Sequence, residues 1–590
     1  MHRPLKSDHH IRLLEVVTAD DRLDVSYRIV QRDLHHDDEH PFFEAVSYTW
    51  ADPLRVATLP VDGESGSIGL TKNLSQALPC LAKRSNTKLL WIDQICINQA
   101  DPTEKAKQVA MMAKIYKSAA RVLVWLGPAD ENTRLCKQFL GALDTMFRGM
   151  PNSDRMIPET TTFNPDFRFL IARSTFTNPE SSPIYAPAIK EFWARPWFCR
   201  GWIVQELLLA RDVLFLSGHI ELSMQDLADL MSAPPDKAPR AEENEPICSQ
   251  LLMNLKMEPI KEEQPLKFLR LMAQVSQEFQ TTEPADRLYA FLGMIDGSTF
   301  VPDYSLPIRE NYTKFAASLA RDFGSLDFLA LCSANLDELL ATTVDFERFP
   351  SWVPSWTAIP LSAPFRLAAG GVRTFRSVVS WNAAGGRQHV HDEMSEPARA
   401  GRLIVRGKIV DAVDAFSNAR IARHHDADED YLDGLVRQIC NDLSPDLTSW
   451  TLKDMVHFLN VVSANGNLPA ETTEEVLGVQ QKQWGDELKN MSGYRGSLAA
   501  CLAMAYGRRF MRTTDGRIGL SPWIGTTCHT REKKGSVIAI LHGCIVPIML
   551  NIANEDRNEY MVIGDCYVQG IMHGEAVSWA EEDSQAIVLI

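Results

Sequence analysis

The sequence predicts an α/β fold, with a parallel sheet in the N-terminal third, then a helical region, then an α+β C-terminal part with a β-rich end. Three observations carry that expectation. Three runs have strand length: a short apolar one at 43–50 and continuous apolar ones at 89–93 and 121–126. A helical pattern lies between the second and third runs, which makes a βαβ unit with parallel strands and a right-handed crossover. Beyond Pro350 the pattern changes to Gly-rich turns (Gly370-Gly371 and Gly385-Gly386), a helical patch at 428–505 and short strands such as 536–541 and 560–563.

Taken in order, residues 1–40 are polar and rich in His and Asp, and read as an N-terminal extension. The run FEAVSYTW at 43–50 is a strand that ends in a turn at Ala51-Asp52-Pro53. LLWID at 89–93 is the second strand. The helix after it starts with Asp101 as N-cap, Pro102 at the first helical position and Glu104 placed to return a capping-box bond. Its apolar stripe is Val109, Met112, Ile115 or Tyr116, and Ala119. RVLVWL at 121–126 closes the βαβ unit, and a polar insertion runs from about 128 to 185. WIVQELLLA at 202–210 reads as a helix and VLFL at 213–216 as a strand extending the same sheet. From 220 to 340 the pattern is mostly helical, with a Pro- and charge-rich linker at 233–246. The expected division is 1–40, 41–220, 221–345 and 346–590.

Composition narrows the function. Of 590 residues, 45% are hydrophobic and 23% charged, which are globular values and exclude disordered or coiled-coil chains. Acidic residues outnumber basic ones 76 to 60, a net charge of -16, so a nucleic-acid partner is not expected. The N-terminus has no uninterrupted apolar core before a small-residue cleavage site, so no secretory signal is expected. The longest apolar stretch, 537–550, is interrupted by His542, Gly543 and Pro547 and is too short for a membrane span. Eleven cysteines without a C-x-x-C pair suggest neither a disulfide framework nor a zinc site, and point to a cytoplasmic protein.

Dinucleotide, P-loop, zinc-protease and nucleophile-elbow signatures are absent. The His35-His36 and His424-His425 pairs read as solvated loops, and no metal site is expected. In a parallel sheet, ligands collect at the carboxyl ends of strands, and that edge carries Asp93, then Gln94, Asn98 and Gln99. The plain alternative is that Asp93 caps local donors and the amides dress the loop. Tyr48 and Trp50 stand at the same edge, suited to stacking on a flat ring, although Trp50 fits a core role equally well. Glu206 is a carboxylate on an otherwise apolar helix, so it must be paired or must do something. Arg195 and Arg200 lie near enough in sequence to neutralise it. Cys96 and Cys199 have no histidine base nearby in sequence and are weak candidates for a nucleophile. Arg508, Arg509, Asp565 and Glu575 sit in apolar blocks and read as buried or interfacial ion pairs.

The blocks FEAVSYTWAD (43–52), LWIDQICINQADPTEKAKQVAMMAKIYKSAARVLVWLG (90–127) and RPWFCRGWIVQELLLA (195–210) closely resemble the three signature blocks of the fungal heterokaryon incompatibility (HET) domain. DRLYAFLGM (286–294), VPDYS (301–305), PSWVPSW (350–356), GRRFMRTTDGRIGL (507–520) and YMVIGDCYVQGIMHGEA (560–576) resemble the tail that accompanies it. Two departures are Ala51, where the family usually has Gly, and Gln94, where a small residue is usual.

The resemblance implies a role in non-self recognition after fusion of unlike hyphae, with programmed cell death as output. It also implies a flavodoxin-like, TIR-like (Toll/interleukin-1 receptor-like) sheet, used for self-association and, in many members, for cleaving NAD. By that comparison Trp202 to Glu206 is similar to the helix carrying the TIR catalytic glutamate. Glu206 would then be catalytic, with Tyr48, Trp50, Asp93, Asn98 and Trp202 binding substrate. NAD or a related nucleotide is expected as substrate rather than cofactor, and a second copy or another HET/TIR-like protein as partner. The alternatives are a non-enzymatic HET signalling module and a HET fold recruited to small-molecule biosynthesis.

Overall fold

The strands of the N-terminal part are β1 (His10–Thr18), β2 (Val25–Asp33), β3 (Glu44–Tyr48), β4 (Arg55–Pro60), β5 (Ser67–Thr71), β6 (Leu89–Trp91), β7 (Val122–Trp125), β8 (Val213–Ser217) and β9 (Ile220–Leu222). All but the β4–β5 ribbon form one sheet, in the order β2-β1-β6-β3-β7-β8-β9. This computed structural model describes residues 2–18, 25–34, 42–50, 52, 54–61, 67–149, 182–231, 264–275, 279–334, 349–354, 356, 382–389, 401–420, 437–439, 441–443, 508–522, 534–578 and 584–590. The linker at 233–246, Ala51, Gly370-Gly371, both His pairs and nearly all of the 428–505 patch lie outside those residues. The chain divides into two units. The first is Met1–Pro259 with Glu278–Met294 and Pro302–Ser305, and the second is Ile260–Gln277, Ile295–Val301 and Leu306–Ile590.

The expected parallel sheet is a mixed one. β6, β3, β7 and β8 are parallel neighbours, whereas β1–β2, β1–β6 and β8–β9 are antiparallel. β6 and β7 are parallel as expected, but β3 lies between them. β1 and β2 arise from the stretch read as an extension. β1 buries Ile11, Leu13, Leu14 and Val16, and its Arg12 is only 1% exposed, so a charged residue sits where an apolar pattern would be sought. β2 is an edge strand with little burial, which is why its residues are mostly polar.

The described α-helices of this unit are α1 (Lys72–Arg84), α2 (Asp93–Cys96), α3 (Pro102–Ser118), α4 (Glu131–Gly149), α5 (Ser182–Trp193), α6 (Ile203–Leu208), α7 (Met224–Met231) and α8 (Asp286–Tyr289). α3 begins as expected, with Asp101 Oδ1 accepting from the N–H groups of Thr103 (2.9 Å) and Glu104 (3.2 Å). Glu104 does not return the capping-box bond. Its Oε1 accepts from the Asn98 N–H at 2.8 Å, and both of its oxygens take the Arg12 guanidinium at 2.6 and 2.9 Å. The buried stripe of α3 is Gln108, Met112, Ile115 and Tyr116, so Gln108 rather than Val109 is covered, its Nε2 donating to the His10 carbonyl.

The second unit carries β10 (Leu403–Arg420), β11 (Arg509–Thr513), β12 (Ile518–Leu520), β13 (Val537–Leu541), β14 (Ile548–Asn554), β15 (Glu559–Asp565), β16 (Tyr567–Val568) and β17 (Gln585–Leu589). Their order is β13-β14-β15-β17-β10-β11-β12-β16, and a further β13–β10 pairing closes the first five into a ring. β10 makes the closure possible because its length serves three partners in succession: β17, then β13, then β11. A closed ring leaves none of its strands with an open edge. Gly407 stands where β10 passes from β17 to β13, and a Cβ there would lie 2.6 Å from the Ile540 carbonyl oxygen and 2.7 Å from Leu541 Cδ2. Gly407→Ala is therefore expected to destabilise this unit by about 1–3 kcal/mol, as overpacking against backbone does. Chemical denaturation of the full chain checks it.

Arg508 and Asp565 form the expected buried pair, both fully buried, with Nη2 at 2.9 and 3.2 Å from the two carboxylate oxygens. Arg509 and Glu575 are placed differently: Arg509 donates to the Ser417 carbonyl and lies over the Phe416 ring, and Glu575 accepts the His573 N–H. No described helix is long and apolar enough to cross a membrane, and no described group of His, Cys, Asp and Glu is arranged to hold a metal ion.

Candidate functional site

The four parallel strands point their carboxyl ends the same way, and the chain leaves β3 and β6 there at Tyr48 and Trp91. β3 is buried along its whole length, and it carries two buried polar side chains, Glu44 at its start and Ser47 next to its carboxyl end. Ser47 Oγ donates a short hydrogen bond to Glu206 Oε2 and accepts one from Trp197 Nε1 at 2.8 Å. Glu206 comes from α6, which lies against α3, and it is 3% exposed. Tyr116, on α3, lies beside Glu206 and donates to the Val46 carbonyl at 3.1 Å.

Asp93 is the first residue of α2 and keeps some solvent-accessible surface. Its Oδ2 accepts from Trp50 Nε1 at 2.7 Å, and its Oδ1 from the Gln94 N–H at 2.6 Å. The Tyr48 hydroxyl is near Asp93 but buried without a well-formed hydrogen bond. Arg200 donates to the Tyr48 carbonyl. Its positive charge is felt by both Asp93 and Glu206, although it forms an ion pair with neither.

Burial is the largest influence on both carboxyls. It raises Asp93 above the ordinary aspartate value, against the pull of Arg200 and the Trp50 bond. It raises Glu206 from 4.5 to about 7, opposed by Arg200, Ser47 and Tyr116 and reinforced by the charge of Asp93. The contrast with Glu44, at the other end of β3, is instructive. Glu44 is also buried, but it accepts from Ser85 Oγ (2.5 Å), the N–H groups of Asn86 and Thr87, and Arg121 Nε (2.5 Å). That carboxylate is saturated as a structural tie, and Glu206 is not. Since the Ser47 bond lowers the proton affinity of Glu206, Ser47→Ala is expected to move its midpoint above about 7. The check is the pH dependence of melting temperature with and without Glu206→Gln in the Ser47→Ala background.

Of the six residues singled out in the sequence, Glu206, Asp93, Tyr48 and Trp50 come together. Asn98 does not join them: its backbone N–H goes to Glu104 and its side-chain oxygen accepts from the Ala100 N–H. Trp202 turns its indole N–H to Asp286 Oδ2 at 3.1 Å. Gln94 is 3% exposed and its Oε1 accepts from the Thr71 N–H, tying α2 to the N-cap residue of α1. Arg195 pairs with Asp130 at 2.8 Å and also donates to Thr133 and Ser217, so it does not neutralise Glu206. Cys96 is buried, its thiol pushed up to about 12, which makes it a poor nucleophile. Ser47, Tyr116 and Trp197 were not singled out from the sequence. The signal available was a hydroxyl in the middle of an all-buried strand.

Two stretches of the chain match known family models. The heterokaryon incompatibility protein (HET) family model matches residues 43–206, and the Het-6 beta-barrel domain model matches residues 476–588. The chain thus carries a HET domain over residues 43–206. It is similar to heterokaryon incompatibility protein 6, OR allele, of Neurospora crassa, at 24% identity over 643 aligned residues covering 93% of this chain and 92% of that protein. No solved structure matches.

Proposed function

We propose that this HET domain protein acts in the cytoplasm in fungal non-self recognition with cell death as output, and that its α/β unit cleaves the nicotinamide-ribose bond of NAD. The observation that carries the reading is Glu206, a buried carboxyl raised to about 7, beside Asp93 and Arg200, near the carboxyl ends of the four parallel strands. The similarity to a named incompatibility protein supports the biological role. The spatial order β6-β3-β7-β8 supports a flavodoxin-like, TIR-like reading. In chain order these four strands run 2-1-3-4, the beginning of the flavodoxin-like order.

In the proposed reaction the C1′–N bond breaks and its electron pair leaves with nicotinamide, which departs neutral. The ribose takes up positive charge, as in glycoside hydrolysis, and ionised Glu206 stabilises it. Water adds at C1′, and its proton passes through Glu206 to solvent. Trp50 offers a ring face and Asp93 an acceptor for a ribose hydroxyl, while Arg200 suits the pyrophosphate. Self-association, or contact with another HET/TIR-like protein, would open the way to Glu206.

The 3% exposure of Glu206 favours a second reading, in which the buried group is structural and the domain signals by docking alone. Cell viability beside a melting curve separates them. Under the enzymatic reading, Glu206→Gln folds and abolishes toxicity; under the docking reading, it folds and remains toxic.

A further inference from the structure

The segment 279–294, with 302–305, belongs to the first unit although it lies more than seventy residues past α6 in sequence. It meets the chain around Glu206 at three points. The Gln280 N–H donates to the Cys199 carbonyl at 2.5 Å and the Gly201 N–H donates to the Gln280 carbonyl at 2.8 Å, a parallel bridge that holds the backbone on both sides of Arg200. Asp286, six residues past Gln280, takes the indole N–H of Trp202, the residue after Gly201, on Oδ2 and the Tyr304 hydroxyl on Oδ1 at 2.8 Å, so both of its oxygens are used. Tyr304 is itself set edge-on to Tyr289 at 5.0 Å between centroids, with the Lys105 ammonium 4.8 Å from its ring centroid. At the third point Gly293 is fitted so closely that a Cβ would lie 2.7 Å from Ala113 Cβ and 2.7 Å from Gln205 Oε1. Gln205 immediately precedes Glu206, and Ala113 is three residues before Tyr116.

We infer that this segment is a clamp for the catalytic turn, and that Asp286, acting through Trp202, is a positioning residue that keeps Arg200 and Glu206 in register with β3. The inference rests on the proposed function for its catalytic meaning. Trp202 thereby has a role without touching substrate: its indole is the handle by which the segment grips the first turn of α6. The bonds lie on either side of Arg200 and at the start of α6, so releasing them lets the guanidinium and the carboxyl move independently of the sheet. Geometry of this kind governs rate steeply, since a misplacement of about 1 Å can cost on the order of 100-fold.

Trp202→Phe keeps an aromatic ring but removes the indole N–H together with the five-membered ring, so the Asp286 variants are the cleaner pair. Asp286→Ala removes the acceptor, and Asp286→Asn restores an acceptor without the charge. Two readouts are taken on each full-length variant: kcat and KM for nicotinamide release from NAD, and melting temperature from pH 5 to 8 with and without Glu206→Gln. Trp202→Phe and Asp286→Ala are expected to lower kcat by about 100-fold with a smaller change in KM, and to move the pH at which Glu206→Gln begins to stabilise. Asp286→Asn is expected to recover most of both. Curves that are merely offset, parallel to wild type at every pH, with kcat unchanged, would overturn the clamp. If the unmodified chain releases no nicotinamide, the NAD reading fails, and the pH comparison alone decides the clamp. If Trp202→Phe does not fold, Asp286→Asn against Asp286→Ala gives the same decision.

Discussion

Replacing Glu206 with glutamine is expected to make the protein more stable at pH 8 while removing its proposed activity. The sign follows from linkage. The native carboxyl holds its proton up to about 7, whereas the unfolded one releases it near 4.5. Between those values the native state binds the extra proton, so stability falls as pH rises through the window and the loss is complete above it. A rise of that size corresponds to about 3 kcal/mol. Glutamine stays neutral and keeps an acceptor for Ser47 Oγ. The gain should therefore be about 3 kcal/mol at pH 8 and vanish below pH 4.5, read as melting temperature or denaturant midpoint at each pH. A flat difference across that range would mean that Glu206 is not raised.

The largest loss of stability is expected at the other end of the chain. Arg508 binds both oxygens of Asp565 and also donates to the carbonyls of Ser521 (2.9 Å) and Asp565 (3.0 Å), with no solvent on either partner. Arg508→Met leaves a buried carboxylate and two carbonyls without their donor, which is expected to cost about 3–5 kcal/mol. That is a large share of the stability of a typical domain. Removing the charge from both sides, with Arg508→Met and Asp565→Leu together, should restore much of the loss, because the penalty lies in the unpaired charge. Equilibrium denaturation of the two single variants and the double tests this. Single variants that each cost less than about 1 kcal/mol would contradict it.

The parts of the fold legible in the sequence are those in which burial is written continuously. β6, β7 and β8 are largely buried and read as apolar runs, and β3 reads as an apolar strand broken by Glu44 and Ser47. β1 escaped because Arg12 is buried in it, paired with Glu104 more than ninety residues away. Ring closure in the second unit escaped because it depends on β10 exchanging partners along its length, with register shifts at 409–411 and 413–415 that no local pattern encodes. Within the site, Glu206 and Asp93 were visible as carboxylates in apolar surroundings. Ser47, Tyr116 and the Asp286 contact to Trp202 were not, because each matters only through a partner far along the chain.

Nicotinamide release from NAD by the purified full-length chain, followed over a range of protein concentrations and from pH 5 to 8, bears most directly on Glu206 as a catalytic group. Wild type is expected to release nicotinamide at high protein concentration, at a rate that rises with pH through about 7 as Glu206 ionises, while folded Glu206→Gln releases none. Wild type and Glu206→Gln equally silent at every concentration and pH, with both chains folded, would contradict it.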